Sequence, residues 1–271
     1  MSTLSIGRRL GEGGGAAWNM ALDEALIEVA STAGKADPIL RFYEWARPAV
    51  TLGRFQDAAA SVDLGGCRRA GIEVVRRPTG GRAVYHDTDL TFSLIFPETA
   101  LGGRSVRETH RSLMAAIGQG LARLDLEVRA GVHDAPGPRS HTDCFAHSAP
   151  SDLTLRAQKI LGSAQMRRAG WIMQQGSIRL WPISVPHGLF RDARLECQSS
   201  IDLNLLLTKN VVADAIQDSF GVFFECEWQA GPIHAGEGER AAQLESEKYR
   251  TDGWNLYAKA PQTGRAPVLA A

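Results

Sequence analysis

The stretch that most restricts the fold is residues 72–97, "IEVVRRPTGGRAVYHDTDLTFSLIFP". Two runs of strand character flank a Pro-Thr-Gly-Gly turn. In the outgoing run, Leu90, Phe92, Leu94 and Phe96 share one face and Thr91 and Ser93 the other, the period of a strand. In the incoming run Arg76 and Arg77 alternate, so one of them faces whatever the turn encloses. Gly80 and Gly81 permit positive φ and close approach of a ligand to backbone amides. Residues 76–87 therefore read either as a hairpin turn with surface arginines or as a loop gripping an anionic or polar ligand. The GxxxxGK[ST] and GxGxxG phosphate-loop patterns are both absent.

The rest of the chain sets this stretch among interspersed helices and hairpins. "AAWNMALDEALIEVA" predicts a helix with Trp18, Leu22, Ala25, Leu26 and Val29 on one face, stopped at Gly34. "ILRFYEW" and "AVTLG" predict strands joined at Arg47-Pro48. "SVRETHRSLMAAIGQGLARL" predicts a helix with an apolar stripe through Leu113, Ile117 and Leu121. Residues 152–180 predict a three-strand meander turning near Ala157-Gln158 and Ala169-Gly170. "LTKNVVADAIQDSFG" and "GERAAQLESEKY" predict late helices. No βαβ rhythm emerges, which favours an α+β fold with a mixed, mostly antiparallel sheet flanked by helices. The expected organisation is an N-terminal segment 1–15, a single domain 16–257 and a disordered tail 258–271.

Charge and composition narrow the function. The 30 basic and 30 acidic residues cancel, arguing against broad nucleic-acid or membrane electrostatics. No apolar run approaches about 18 residues, and the start lacks a signal-peptide apolar stretch, so the expected compartment is the cytoplasm. Cys67, Cys144, Cys197 and Cys226 form no CxxC pair and fit no zinc spacing, so no metal is expected and reduced thiols are.

Cys144 and Lys159 form the second constellation. A thiolate is a strong nucleophile, and a nearby ammonium would stabilise it or polarise an acyl carbonyl. The alternatives are a buried loop cysteine packed by Phe145 and a solvated strand-end lysine. Gly162, Ser163 and Ala164 either clear space for a ligand or mark a bulge. His141 and His147 flank the cysteine, as a base or as solvated loop histidines.

Several of these segments together resemble the lipoate/biotin protein ligase superfamily. "RRPTGGRAVYHD" is similar to its Arg-Arg-x-x-Gly-Gly-x-x-Val-x-His-Asp signature. "QKILGSAQMR" and "MQQGSIRL" resemble its Lys-x-x-Gly-Ser-Ala-Gln and Gln-His-Gly-Ser strands, with Gln175 in place of His. "WNMALDEAL", "RPAVTLGRFQ" and "EKYRTDGWNLY" resemble its first helix, its Gly-x-x-Gln element and its C-terminal Lys-Tyr segment. The likeness spans residues 16–257 and implies the biotin/lipoate ligase catalytic-domain fold, akin to class II aminoacyl-tRNA synthetases. "DCF" at Cys144 and Gly-Gly-Arg at residues 80–82 resemble the Cys-Phe type of octanoyl-acyl-carrier-protein:protein octanoyltransferases, though "CFAHSAPS" is longer than that branch's usual segment.

That resemblance implies transfer of an octanoyl group from acyl carrier protein to a lysine of the glycine-cleavage H protein or a 2-oxoacid dehydrogenase lipoyl domain. It implies Cys144 as nucleophile and Lys159 as stabiliser of the thiolate or oxyanion, without ATP or another cofactor beyond the donor's octanoyl-phosphopantetheine. Arg76, Gly80, Gly81, Arg82, Tyr85 and His86 would line the acyl tunnel, opposite Gly162, Ser163 and Ala164. An ATP-dependent lipoate ligase, an amidotransferase between lipoyl domains and a non-catalytic binding module are the competing readings.

Overall fold

The alternating strand at residues 90–97 lies inside the largest sheet, with both faces covered. The computed structural model describes residues 5–11, 13–33, 37–130, 152–156, 158–191 and 207–258. Its elements begin with β1 (Ser5–Leu10), α1 (Ala16–Ala33), β2 (Ile39–Tyr43), β3 (Ala49–Leu52), α2 (Ala58–Ser61) and α3 (Leu64–Arg69). There follow β4 (Glu73–Arg76), β5 (Val84–His86), β6 (Leu90–Pro97), α4 (Val106–Ala122), β7 (Val128–Ala130), β8 (Leu153–Leu155) and β9 (Gln158–Lys159). The last are β10 (Leu161–Arg168), β11 (Trp171–Ile178), α5 (Lys209–Phe224), β12 (Cys226–Ala230), α6 (Ala235–Leu244) and α7 (Asp252–Asn255).

The main sheet runs β10-β11-β6-β2-β1-β12, antiparallel up to β2 and parallel between β2, β1 and β12. The fold is thus α+β with a mixed, mostly antiparallel sheet, as the interspersed pattern suggested. Leu90, Phe92, Leu94 and Phe96 pack against Leu113 and Ile117 of α4 and Ile216 and Phe220 of α5. Burying each such side chain contributes about 1.5–3 kcal/mol. The opposite face presents Ile95 and Met173 to Leu22 and Leu26 of α1 and Leu244 of α6. Ser105 and Glu108 form a reciprocal cap that starts α4.

Two smaller sheets stand beside this one, ordered β4-β3-β5 and β7-β8-β9. The expected three-strand meander is divided between sheets. The β8–β9 hairpin turns at Arg156 (φ 49°), just ahead of the expected Ala157-Gln158, while β10–β11 turns at Ala169 (φ 46°) and Gly170 (φ 79°) as predicted. Consecutive positive φ values suit a tight hairpin between right-twisted strands. Three strands, β1, β7 and β12, were not legible in advance. β1, within the segment set apart as residues 1–15, pairs with both β2 and β12. A Cβ at Gly7 would lie 2.5 Å from the Trp228 ring, so the glycine seats the β12 tryptophan. Among the described residues no helix is long and apolar enough to cross a membrane. The expected tail, from residue 259 onward, lies outside the described residues.

Candidate functional site

A slot opens between the main sheet and the β4-β3-β5 sheet. Thr51, Arg77, Val84 and His86 form one wall. Gly162, Ser163, Ala164, Gln175 and Ser177 form the other, with Met20 and Trp45 at its margin. Small residues on β10 leave the space that a larger side chain would fill.

Arg77 builds the loop over the slot from inside. Its Nε and Nη2 donate to Gly80 O at 3.1 and 2.6 Å, and Nη2 also donates to Arg82 O at 2.7 Å. Its Nη1 donates to Thr51 O and Oγ1, both at 3.2 Å. Gly81 has φ 86°, and a Cβ there would sit 2.8 Å from Arg77 Nη2. Thr79 Oγ1 donates to Gln175 Oε1 at 2.7 Å, and Gln175 Nε2 donates to Asp23 Oδ2 at 2.7 Å. Gln175, where the resembling family has His, thus ties the loop to α1 through both ends of its amide. Asp23 also accepts from Arg41 Nη1, Tyr43 OH and Ser93 Oγ, so this fully buried carboxylate is paired and saturated.

The structure gathers His86, Gly162, Ser163 and Ala164 at the slot, with Gly80 and Gly81 in the loop above. Arg82 contributes its carbonyl to the Arg77 clamp. Arg76 and Tyr85, expected in the same lining, point elsewhere, and the cause is strand alternation. Arg76 is fully buried and donates to the carbonyls of Gly53, Arg54, Gln56, Trp254 and Asn255. Tyr85 packs with Val50, Leu52 and Phe190 behind the sheet, and burial pushes its phenol up to about 12. Arg77 and Val84 occupy the slot wall instead.

His86 sits in a buried relay. Its Nε2 is 2.9 Å from Thr51 Oγ1, its Nδ1 is 2.7 Å from Asp89 Oδ2, and its ring stacks on Trp45 at 4.1 Å. Burial outweighs Asp89 and lowers the affinity of His86 for a proton, favouring a neutral ring with the proton on Nδ1. Burial alone would raise Asp89. The charge of His86 when it is protonated, the hydrogen bonds from His86 and Ser177 and the charge of Arg179 outweigh it and hold the carboxyl well below its ordinary value.

Lys159 is buried in β9 with Nζ donating to Asp152 Oδ2 at 2.6 Å, not solvated at a strand end. Cys144, His141 and His147 lie outside the described residues. Sequence reading passed over His110, which looked like one more polar position on α4. Its Nδ1 lies 3.2 Å from Gln174 Nε2 and 3.4 Å from Ser163 Oγ. The signal available was the glutamines of "SAQMR" and "MQQG", whose partners only the folded sheet reveals.

Comparison with known proteins extends the picture beyond the geometry. Residues 15–181 match the lipoyl protein ligase A/B catalytic domain. The chain is 36% identical over 261 residues to octanoyltransferase LipM of Symbiobacterium thermophilum, covering 88% of this chain and 93% of that protein. It is 31% identical to octanoyltransferase LipM of Staphylococcus aureus, over 88% and 93% of the two chains. Among solved structures, it resembles the putative lipoate protein ligase Ta0514 of T. acidophilum with bound lipoic acid, with TM-score 0.76, 26% identity and coverage of 93% and 99%. A lipoate-protein ligase A bound with ATP gives TM-score 0.77, 26% identity and the same coverage of 93% and 99%.

Proposed function

The chain belongs to the lipoyl protein ligase A/B catalytic-domain family, and from that premise we propose that it transfers an octanoyl group from acyl carrier protein to a lysine of a lipoyl-accepting protein. It is an acyltransferase, like the octanoyltransferases it matches over most of its length. The observation that carries the substrate reading is the narrow slot between the Gly80-Gly81 loop and the small residues of β10. An octanoyl chain suits such a space. Each buried CH2 contributes about 0.8 kcal/mol, so the seven carbons beyond the carbonyl contribute roughly 6 kcal/mol.

In this reading the Cys144 thiolate attacks the carbonyl of the octanoyl thioester. The bond to the pantetheine sulfur breaks, and that thiol leaves with a proton. The new Cys144 thioester keeps the acyl activation, so ATP is not consumed. The acceptor lysine amine, once deprotonated, attacks the same carbonyl, forms the amide and releases the Cys144 thiol. Lys159, fixed by Asp152, is the donor suited to the oxyanion that develops in each half. Arg77 and the glycine loop hold the roof of the slot, and His86 and Ala164 line it. Glycine-cleavage H protein and lipoyl domains of 2-oxoacid dehydrogenases are the acceptors of suitable chemistry.

Two donor mixtures separate this reading from its relatives. One contains octanoyl-acyl carrier protein and an acceptor, the other free lipoate or octanoate, ATP and the same acceptor. Octanoylation in the first without ATP is expected. Acceptor modification only in the second, with pyrophosphate release, would make the chain a ligase. Transfer in neither, but in a third mixture that offers an octanoylated lipoyl domain as donor, would make it an amidotransferase.

A further inference from the structure

One flank of α4 carries charge that neither the slot nor its hydrogen-bond networks use. Arg107, Arg111, Met114 and Gly118 follow at spacings of four, three and four, so they form one stripe along the helix. The far half of the stripe is packed. Met114 Sδ lies 3.9 Å from Ser163 Oγ on β10, and a Cβ at Gly118 would lie 3.6 Å from Leu153 on β8. The near half, Arg107 and Arg111, continues the same flank beyond those contacts and is exposed. Among the described residues neither arginine is in an ion pair. Arg104, just ahead of the helix, is exposed as well. Its Nη1 donates to Ser112 Oγ at 2.8 Å, a neutral partner that leaves the charge intact. The carboxylate in this stretch, Glu108, is turned back into the helix cap, accepting from Ser105 N at 2.9 Å and Oγ at 2.6 Å. Three arginines against one carboxylate leave the surface cationic.

The flank adjoins the site across a single strand. β10 is the outer strand of the main sheet. Its Gly162 and Ala164 face the slot and its Ser163 faces α4, so the two faces meet along one edge. Lys159 and Asp152 are near enough to His110 of α4 to act on its charge. His110 lies between Arg107 and Arg111 in the chain. A protein seated on the arginine flank therefore stands beside β10, with the edge of the sheet between it and the slot.

We propose that this flank, centred on Arg107 and Arg111, is the docking surface for the carrier protein of the acyl donor, a partner with an acidic face. The inference rests on the octanoyl-transfer reading and names where its donor binds. The choice of donor over acceptor follows from reach. The octanoyl group arrives on a long, flexible phosphopantetheine arm, so its carrier docks beside the site and passes the arm over the edge of β10. An acceptor presents its amine on a shorter lysine side chain, so its own surface must come to the mouth of the slot. The phosphodiester at the root of the arm adds a fixed negative charge to the carrier, and guanidinium forks suit phosphodiester and carboxylate alike. Val106, 40% exposed at the head of the helix, supplies an apolar contact within the cationic rim. Rim charges act on encounter and on salt dependence more than on bound chemistry, so this surface governs KM and not kcat.

The test uses the full chain, one acceptor and two donors. Octanoyl-acyl carrier protein is the first; octanoyl-pantetheine, which has the reactive end of the arm without a carrier, is the second. The Arg107→Glu/Arg111→Glu pair is expected to raise KM for the carrier-borne donor at least about tenfold, with kcat within about twofold. KM for octanoyl-pantetheine and for the acceptor should stay within about twofold. Added salt should raise the wild-type KM for the carrier-borne donor and leave that for octanoyl-pantetheine unchanged. Arg107→Lys/Arg111→Lys keeps the charge and is expected to hold KM for the carrier-borne donor within about threefold of wild type. An unchanged KM for the carrier-borne donor in the Glu pair, an equal loss with octanoyl-pantetheine, or a rise confined to the acceptor KM would each overturn the proposal. The last result would give the surface to the acceptor. If thermal unfolding shows that the Glu pair does not fold, Arg107→Gln/Arg111→Gln and the salt dependence decide it by the same criteria. Absence of transfer from both donors by the wild-type chain would instead count against the parent reading.

Discussion

Arg76→Lys separates a structural clamp from a substrate contact. The Arg76 side chain donates to five carbonyls: Trp254 O at 3.0 Å, Gly53 O at 2.9 Å, Gln56 O at 2.7 Å, Arg54 O at 3.3 Å and Asn255 O at 3.1 Å. These bonds join the turn after β3 to α7, segments far apart in the chain. A lysine amine carries three protons on one atom and cannot span both groups, so at least two buried carbonyls lose a charged donor. At about 1.5–3 kcal/mol for each hydrogen bond to a charged group, the loss is roughly 3–6 kcal/mol. In a chain of this size each kcal/mol lowers Tm by about 2–4 °C, so the expected fall is on the order of 10 °C. Urea denaturation and scanning calorimetry measure the stability, and octanoyl-transfer kinetics measure KM at a temperature where the variant is folded. Unchanged stability with a KM raised more than about tenfold would refute the reasoning and return Arg76 to the slot wall.

Replacing Asp23 alone by Leu strands the buried Arg41 and is expected to cost about 3–5 kcal/mol, while the Asp23→Leu/Arg41→Leu pair costs less than either single change in urea melts. Gly53→Ala would put a Cβ 1.9 Å from Gly81 O, so it is expected to displace the loop and cut octanoyl transfer more than it lowers Tm; equal transfer at equal Tm would contradict it. His86 and His110 both resist protonation when folded, whereas the unfolded chain takes up those protons below about pH 6.5. Unfolding free energy should therefore fall from pH 7 to 5.5, and fall further below about pH 4, where the unfolded chain protonates Asp89 and the folded one resists. A flat profile across both windows would contradict those assignments. Burial pushes the Cys67 and Cys226 thiols up to about 11, so iodoacetamide should label neither in the native chain, as peptide mapping would show.

Much of the fold was legible because it is written in local periodicity. The alternation of residues 90–97, the stripe of α4 and the Ala169-Gly170 turn each specify their own backbone. β1 and β12 were missed because short strands in parallel pairing draw stability from partners remote in sequence, here Trp228 seated on Gly7. The meander divided because Lys159 and Gly162, three residues apart, serve different sheets, and nothing local marks that boundary. At the site, period-two alternation announced that Arg76 and Arg77 diverge but not which one turns inward. The backbone carbonyls of residues 53–56 and 254–255 decide that, and carbonyls leave no trace in side-chain patterns. His110 was hidden for a related reason. Its contacts lie at the end of a chain of amides whose direction Arg167 fixes from the same edge strand, β10.

The most direct test of octanoyl transfer through an acyl-enzyme is the intact mass of the protein after mixing with octanoyl-acyl carrier protein in the absence of acceptor. The account predicts one octanoyl increment, removed by hydroxylamine, mapped by peptide analysis to Cys144 and absent from Cys144→Ala. An unmodified wild-type mass while the acceptor is still octanoylated in a complete mixture, or an adduct that survives Cys144→Ala, would contradict it.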